Sequence, residues 1–163
     1  MEVPKLEIKL GAMQYRTLGS SGLKVSEVCM GTMTFGVQNN EKEAFEILDY
    51  AFSRGVNFID TAEMYPIPPT AETQGASERI VGAWVKDRKN RDKVIIATKV
   101  TGRDSSKSYV NASRGKGLEK KEARLDYDSI LAACDASLKR LQIDTIDLYQ
   151  IHWPARYVPK FGK

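Results

Sequence analysis

The chain has 163 residues, of which 42% are hydrophobic and 28% charged, the balance of an ordinary folded domain and far from that of a disordered chain. Twenty-five Lys and Arg against twenty-one Asp and Glu leave a net charge of +4, too small and too spread out for the basic footprint of a nucleic-acid binder. No apolar run approaches membrane-spanning length, and the opening Met1-Glu2-Val3-Pro4-Lys5-Leu6 makes neither a signal nor a transit peptide, so a cytoplasmic protein without a membrane span is expected.

Residues 1–12 show no clean period and are expected to form a flexible leader, ahead of a domain over 13–163. Tyr15-Arg-Thr-Leu, the turn Gly19-Ser-Ser-Gly22 and Leu23-Lys-Val-Ser predict a β-hairpin. Val28-Cys-Met-Gly-Thr32 then predicts a short strand running into a loop from Gly31 to Gly36. Asn40 with Glu43 three residues on forms a capping box for the first helix. Ala44, Phe45, Leu48, Ala51 and Phe52 lie on one stripe of it, and Gly55 supplies the stop.

Val56-Asn-Phe-Ile-Asp60 predicts a buried strand. A second helix, bounded by Ser77, places Ile80, Val81, Trp84 and Val85 on one face. Val94 to Lys99 predicts a third strand. A third helix over 127–141 turns Ile130, Leu131, Cys134, Leu138 and Leu141 inward, and Thr145 to His152 predicts a fourth strand. The two cysteines, Cys29 and Cys134, fall on a strand and a helix and are expected to be buried reduced thiols.

Between Val100 and Asp126 runs a polar connection of about 26 residues, with Gly102, Gly115, Gly117 and seven Lys or Arg against four Asp or Glu. Connections in compact domains are usually much shorter, so this one is either a substrate-facing loop or simply solvated.

Strand and helix alternate throughout, which means parallel strands joined by right-handed helical crossovers. A barrel and an open, flavodoxin-like sheet both fit that alternation. No G-x-G-x-x-G or P-loop pattern follows any predicted strand, and the open sheet leaves the polar strand ends unexplained. Asp60, Lys99 and His152 each close a different strand, and Tyr65 follows in the loop after Asp60. In a barrel of parallel strands that rim is where active sites are built.

Singly, each of these residues is more often structural: an Asp caps or turns, a Lys reaches solvent, a His or Tyr packs. Together they make a coherent acid–base set. A phenol with an ordinary pKa of about 10 donates poorly at neutral pH, and a neighbouring ammonium favours its ionised form. A carboxylate offsets the burial of that ammonium, and an imidazole hydrogen-bonds a carbonyl oxygen. The set has no nucleophile for acyl transfer and too few His or Cys ligands for a metal.

These residues resemble the aldo-keto reductases. The resemblance rests on Tyr15-Arg-Thr-Leu-Gly, Gly31-Thr-Met-Thr-Phe-Gly36, Asn57-Phe-Ile-Asp-Thr-Ala-Glu-Met-Tyr65, Ile96-Ala-Thr-Lys99, and Leu138-Lys-Arg-Leu with Asp147-Leu-Tyr-Gln-Ile-His-Trp153. Ala62-Glu-Met-Tyr-Pro-Ile-Pro-Pro69 and Glu72-Thr-Gln-Gly75 are most similar to the Tas-type reductases, relatives of the potassium-channel β-subunits. It implies an α/β fold, the N-terminal half of a (β/α)8 TIM barrel with an N-terminal β-hairpin and about four parallel strands. It further implies an NADP(H)-dependent reductase of aldehydes and ketones. Tyr65 would be the general acid, Lys99 would lower its pKa, Asp60 would pair with Lys99, and His152 would orient the carbonyl. Gly31, Thr32, Met33 and Asp60 would lie against the nicotinamide ribose, and Trp153 would line the pocket.

A full barrel of this kind needs about 250 residues or more. The family's other cofactor contacts come from later strands, so a C-terminal half barrel or another subunit is the expected partner, and the fragment alone is expected to be inactive. The alternative reading is a non-catalytic product that binds or modulates a full-length barrel.

Overall fold

A computed structural model of the chain describes residues 12–103, 108–115 and 122–156. Apart from Ala12, the expected leader lies outside them. Strands β1 (Tyr15–Thr17) and β2 (Lys24–Ser26) pair antiparallel, with Tyr15 opposite Ser26 and Thr17 opposite Lys24. Strands β3 (Cys29–Gly31), β4 (Phe58–Asp60), β5 (Ile95–Val100) and β6 (Leu148–Ile151) form one sheet in that order, every neighbouring pair parallel. Helices α1 (Glu41–Ser53), α2 (Ala76–Arg88) and α4 (Tyr127–Leu141) make the crossovers, and a short α3 (Ser108–Ala112) interrupts the long connection after β5. The fold is therefore α/β, the N-terminal half of a (β/α)8 barrel with its leading hairpin. Among the described residues, no helix is long and apolar enough to cross a membrane.

Local chemistry explains where the helices begin and end. Asn40 Oδ1 accepts the Glu43 N–H at 3.0 Å while Glu43 Oε2 accepts the Asn40 N–H at 2.9 Å, the reciprocal capping box. Gly55, at φ +89°, ends that turn, and its carbonyl accepts the Tyr15 hydroxyl at 2.7 Å, which ties the hairpin to α1. Helix α2 starts one residue earlier than Ser77. Its cap is Gly75 in the left-handed conformation, and the Ser77 hydroxyl donates instead to the Phe35 carbonyl at 2.9 Å. For α4, Asp126 caps the Ser129 N–H at 3.0 Å.

The core lies between the sheet and these helices, around Leu48, Ile59, Val81, Trp84, Ile96 and Leu141. Trp84 is fully buried, its indole N–H donating to Asp49 Oδ1 at 2.8 Å and its ring meeting Phe52 edge-on at 5.9 Å. Helix α2 presses closely on the end of α4: a Cβ on Gly82 would sit 2.2 Å from the Leu141 carbonyl oxygen. Strand β5 lies between two strands and is buried along most of its length, the reason its sequence is nearly continuous in apolar residues.

Both cysteines are free thiols, but Cys29 is exposed and Cys134 only half-buried. The expectation of burial fails at Cys29, which lies on β3 at the edge of the described sheet.

Candidate active site

Three neighbouring parallel strands deliver polar side chains to one rim. β4 ends on Asp60, Lys99 is the penultimate residue of β5, and His152 follows the last residue of β6. Backbone bonds continue the ladder past the strand ends. Thr61 N–H donates to Ala97 O at 2.9 Å, Glu63 N–H to Lys99 O at 3.2 Å, and His152 N–H to Val100 O at 3.0 Å. The loop after β4 turns on a Tyr65 N–H to Ala62 O bond, and the Tyr65 carbonyl accepts the Gly75 N–H at 2.8 Å.

The side chains of Asp60, Lys99, Tyr65 and His152 meet at this rim. Lys99 Nζ donates to Asp60 Oδ2 at 2.5 Å and to the Thr61 carbonyl at 2.8 Å, and it lies 4.9 Å from the Tyr65 ring centroid. Gln150 Nε2 reaches the other Asp60 oxygen at 3.4 Å. The Tyr65 and His152 rings lie edge-to-face, 5.5 Å apart.

Tyr65 is 8% exposed, and burial, followed by the charge of Asp60, pushes its phenol above the ordinary value. This direction departs from the expectation that Lys99 lowers it. The ammonium is already engaged by a carboxylate and a carbonyl, so desolvation and Asp60 govern the phenol. His152 is pushed down to about 4, first by burial and then by the charge of Lys99. Its Nδ1 is buried with no hydrogen-bond partner among the described residues. At neutral pH the rim thus holds a protonated phenol and a neutral imidazole beside a charge-balanced Lys–Asp pair. A neutral imidazole has one N–H to give, and a protonated phenol one O–H.

Gly31 pairs in register with Asp60, and a Cβ built on it would meet nothing within 4 Å. Thr32 is fully buried, and both its N–H and its hydroxyl donate to the Asp60 carbonyl at 3.0 Å. Met33 is 47% exposed, and its carbonyl accepts the Ile67 N–H at 2.9 Å. This leaves open space beside Asp60, bounded by a fixed backbone and an exposed thioether, which fits the nicotinamide-ribose end of a dinucleotide. Trp153 stacks obliquely on His152 with centroids 5.0 Å apart and packs against the cluster of Ala62, Met64, Tyr65 and Val110. Its indole N–H donates to the Arg103 carbonyl at 3.2 Å.

Sequence reasoning missed a second polar layer. Glu63 Oε1 accepts the Thr101 N–H and Arg114 Nη2, both at 2.5 Å, and Oε2 accepts Arg114 Nε at 3.1 Å. Glu78 accepts the Thr98 hydroxyl and Arg140 Nε, both at 2.6 Å, and Arg140 Nη1 donates to the Ser113 hydroxyl at 3.1 Å. The paired charges lie 51 and 62 positions apart, and no local pattern announces such partners.

The sequence profile described as the Aldo/keto reductase family matches residues 27–161. The chain is 48% identical over 151 residues to Protein tas of Escherichia coli (strain K12), covering 93% of this chain and 41% of that protein. It is 39% identical over 153 residues to norsolorinic acid reductase B of Aspergillus parasiticus, covering 86% of this chain and 35% of that protein. A solved Pseudomonas aeruginosa structure assigned to the aldo-keto reductases superposes with a TM-score of 0.62 at 29% identity, over 85% of this chain and 45% of that one. The chain thus spans less than half the length of these relatives.

Proposed function

The chain belongs to the aldo/keto reductase family, and on that premise we propose that it carries the acid–base centre of an NADPH-dependent reduction of aldehydes and ketones to alcohols. The observation that carries this reading is the convergence of Tyr65, His152 and the Lys99–Asp60 pair on one rim.

When bound, NADPH would supply the hydride that the carbonyl carbon accepts. Tyr65 gives its hydroxyl proton to the carbonyl oxygen; the phenol, raised by burial, is protonated at neutral pH and gives up its proton only as negative charge builds on that oxygen. His152, neutral because its ring is buried beside Lys99, donates one N–H to the same oxygen and fixes the carbonyl's orientation. When the proton leaves Tyr65, the ammonium of Lys99 stands near the phenolate and opposes its charge. Asp60 holds that ammonium in place. Gly31, Thr32, Met33 and Asp60 would hold the nicotinamide-ribose end, and Trp153 would form a pocket wall. The likeness to norsolorinic acid reductase B supports aromatic carbonyl compounds as the first substrates to try. Strands from the rest of the protein or from another subunit complete the cofactor site, in a cytoplasmic setting.

The test, on the protein carrying this chain, is loss of NADPH absorbance in the presence of an aromatic aldehyde or simple ketone, with the alcohol quantified in parallel. The proposal predicts one alcohol formed per NADPH consumed. NADPH that binds without being oxidised across a panel of such carbonyls would refute it.

A further inference from the structure

The buried pair Glu63–Arg114 has a place in the fold that the acid–base set alone does not explain. Glu63 lies between Asp60 and Tyr65 in the loop after β4, and each of its polar groups holds something different. Its N–H donates to the Lys99 carbonyl, its own carbonyl accepts Gln74 Nε2, and its carboxylate takes the Thr101 N–H. The two remaining bonds go to Arg114, whose side chain is 1% exposed against 0% for Glu63. Arg114 follows α3, and α3 contributes Val110, fully buried, to the cluster that encloses Tyr65.

We propose that Glu63 and Arg114 are positioning residues for Tyr65: their ion pair clamps α3 over the tyrosine loop and so fixes the enclosure of the phenol. This rests on the reading of Tyr65 as the proton donor, but the clamp itself is testable without turnover.

A lysine would not replace Arg114, because one carboxylate takes two parallel N–H donors from a planar guanidinium. Loss of one partner would leave the other as a buried, uncompensated charge. The burial that raises the Tyr65 phenol comes in part from the α3 side, so releasing the clamp hydrates Tyr65 and lets its titration fall toward the ordinary value of 10.0.

The experiment compares the whole chain with Glu63→Gln, Arg114→Met and the charge-neutral double variant Glu63→Met/Arg114→Met. The double variant keeps side-chain volume and removes both charges, so it folds where a single variant fails. Two readouts are taken: amide exchange of Ser113 and Arg114, whose N–H groups donate to the Val110 and Asn111 carbonyls, against that of β5, and the Tyr65 phenol titration followed by carbon-labelled tyrosine NMR, assigned with Tyr65→Phe. The clamp predicts exchange at residues 113 and 114 faster by about tenfold or more with β5 unchanged, and a lower Tyr65 midpoint. A folded double variant with wild-type exchange at residues 113 and 114 and wild-type Tyr65 titration overturns the proposal. Unfolding of all three variants also overturns it, since the pair would then hold the whole fold rather than one wall of the site. Neither readout depends on reductase activity, so failure of the clamp and failure of the proposed reaction are separable.

Discussion

Lys99 Nζ lies 2.5 Å from Asp60 Oδ2, across the ends of two adjacent parallel strands, with the two side chains 13% and 27% exposed. The pair is enclosed enough to fix its geometry and open enough to avoid the full desolvation cost of a deeply buried one. Asp60 raises the Tyr65 phenol, and the Lys99 ammonium that offsets the carboxylate lies 4.9 Å from the same ring. Asp60→Asn removes a charge that raises the phenol, so the Tyr65 titration moves down; Lys99→Met leaves that charge unopposed, and the titration moves up. Each variant costs about 2 kcal/mol in denaturant melts, below the range for a fully buried pair broken on one side. Shifts of the same sign in both variants would contradict this arrangement.

His152 gives the fold a pH dependence of definite sign. Its folded value, about 4, lies below the ordinary imidazole value of 6.5, so below pH 6.5 the unfolded chain takes up a proton that the folded chain refuses. Stability is therefore intact above about pH 6.5, falls as the pH drops toward 4, and gains no further loss from this group below that. His152→Gln, which does not titrate, flattens that segment of the curve in urea melts. An unchanged slope between pH 6.5 and 4 would show that the imidazole is not held neutral by its surroundings.

Tyr149 points to a different outcome. Its hydroxyl is buried without a hydrogen-bond partner among the described residues, and burial, then the charge of Glu63, drives its ionisation upward. A raised phenol contributes stability below the unfolded value of about 10 that is lost as the pH rises further. Tyr149→Phe removes an unsatisfied polar atom, so it is neutral or stabilises by up to about 1 kcal/mol at pH 7, and it weakens the alkaline loss. A cost above about 1 kcal/mol would reveal a bond at that hydroxyl.

Gly82 is set by space, since its φ is ordinary. A Cβ there would stand 2.2 Å from the Leu141 carbonyl oxygen, and backbone cannot rotate away as a side chain can. Gly82→Ala therefore separates α2 from α4 and costs about 2–3 kcal/mol despite its better helix propensity. A thermal melt suffices, and an unchanged midpoint would mean that the helices pack less closely than described.

Much of this architecture was legible residue by residue. The Asn40–Glu43 box and the 127–141 helix occur where they were expected, but Leu131 of the expected inward stripe is 47% exposed, and the buried face runs through Ala133, Ala136, Ser137, Arg140 and Leu141. Asp60, Lys99 and His152 were visible as strand ends because the apolar runs before them are unambiguous. Gly75 was not visible as a cap, since a left-handed glycine needs no side-chain signature. Helix α3 was hidden in a polar stretch, and its Val110 ends fully buried beside Tyr65. Glu63, Glu78, Arg114 and Arg140 carry no local signal of burial, and only the fold shows that they bury one another. The net direction of the Tyr65 shift was not legible for the same reason: adjacency to a lysine is inferable from strand order, while the burial that raises the phenol is not.

The central claim is that Tyr65 donates the proton in carbonyl reduction. The most direct measurement is the turnover of Tyr65→Phe in the protein carrying this chain, with NADPH affinity measured by fluorescence on the same sample. The account predicts a loss of about 10²–10⁴-fold in kcat with NADPH affinity unchanged, because the lost hydroxyl acts on the carbonyl and not on the cofactor. Turnover within a few-fold of wild type would contradict it and assign the proton to another group.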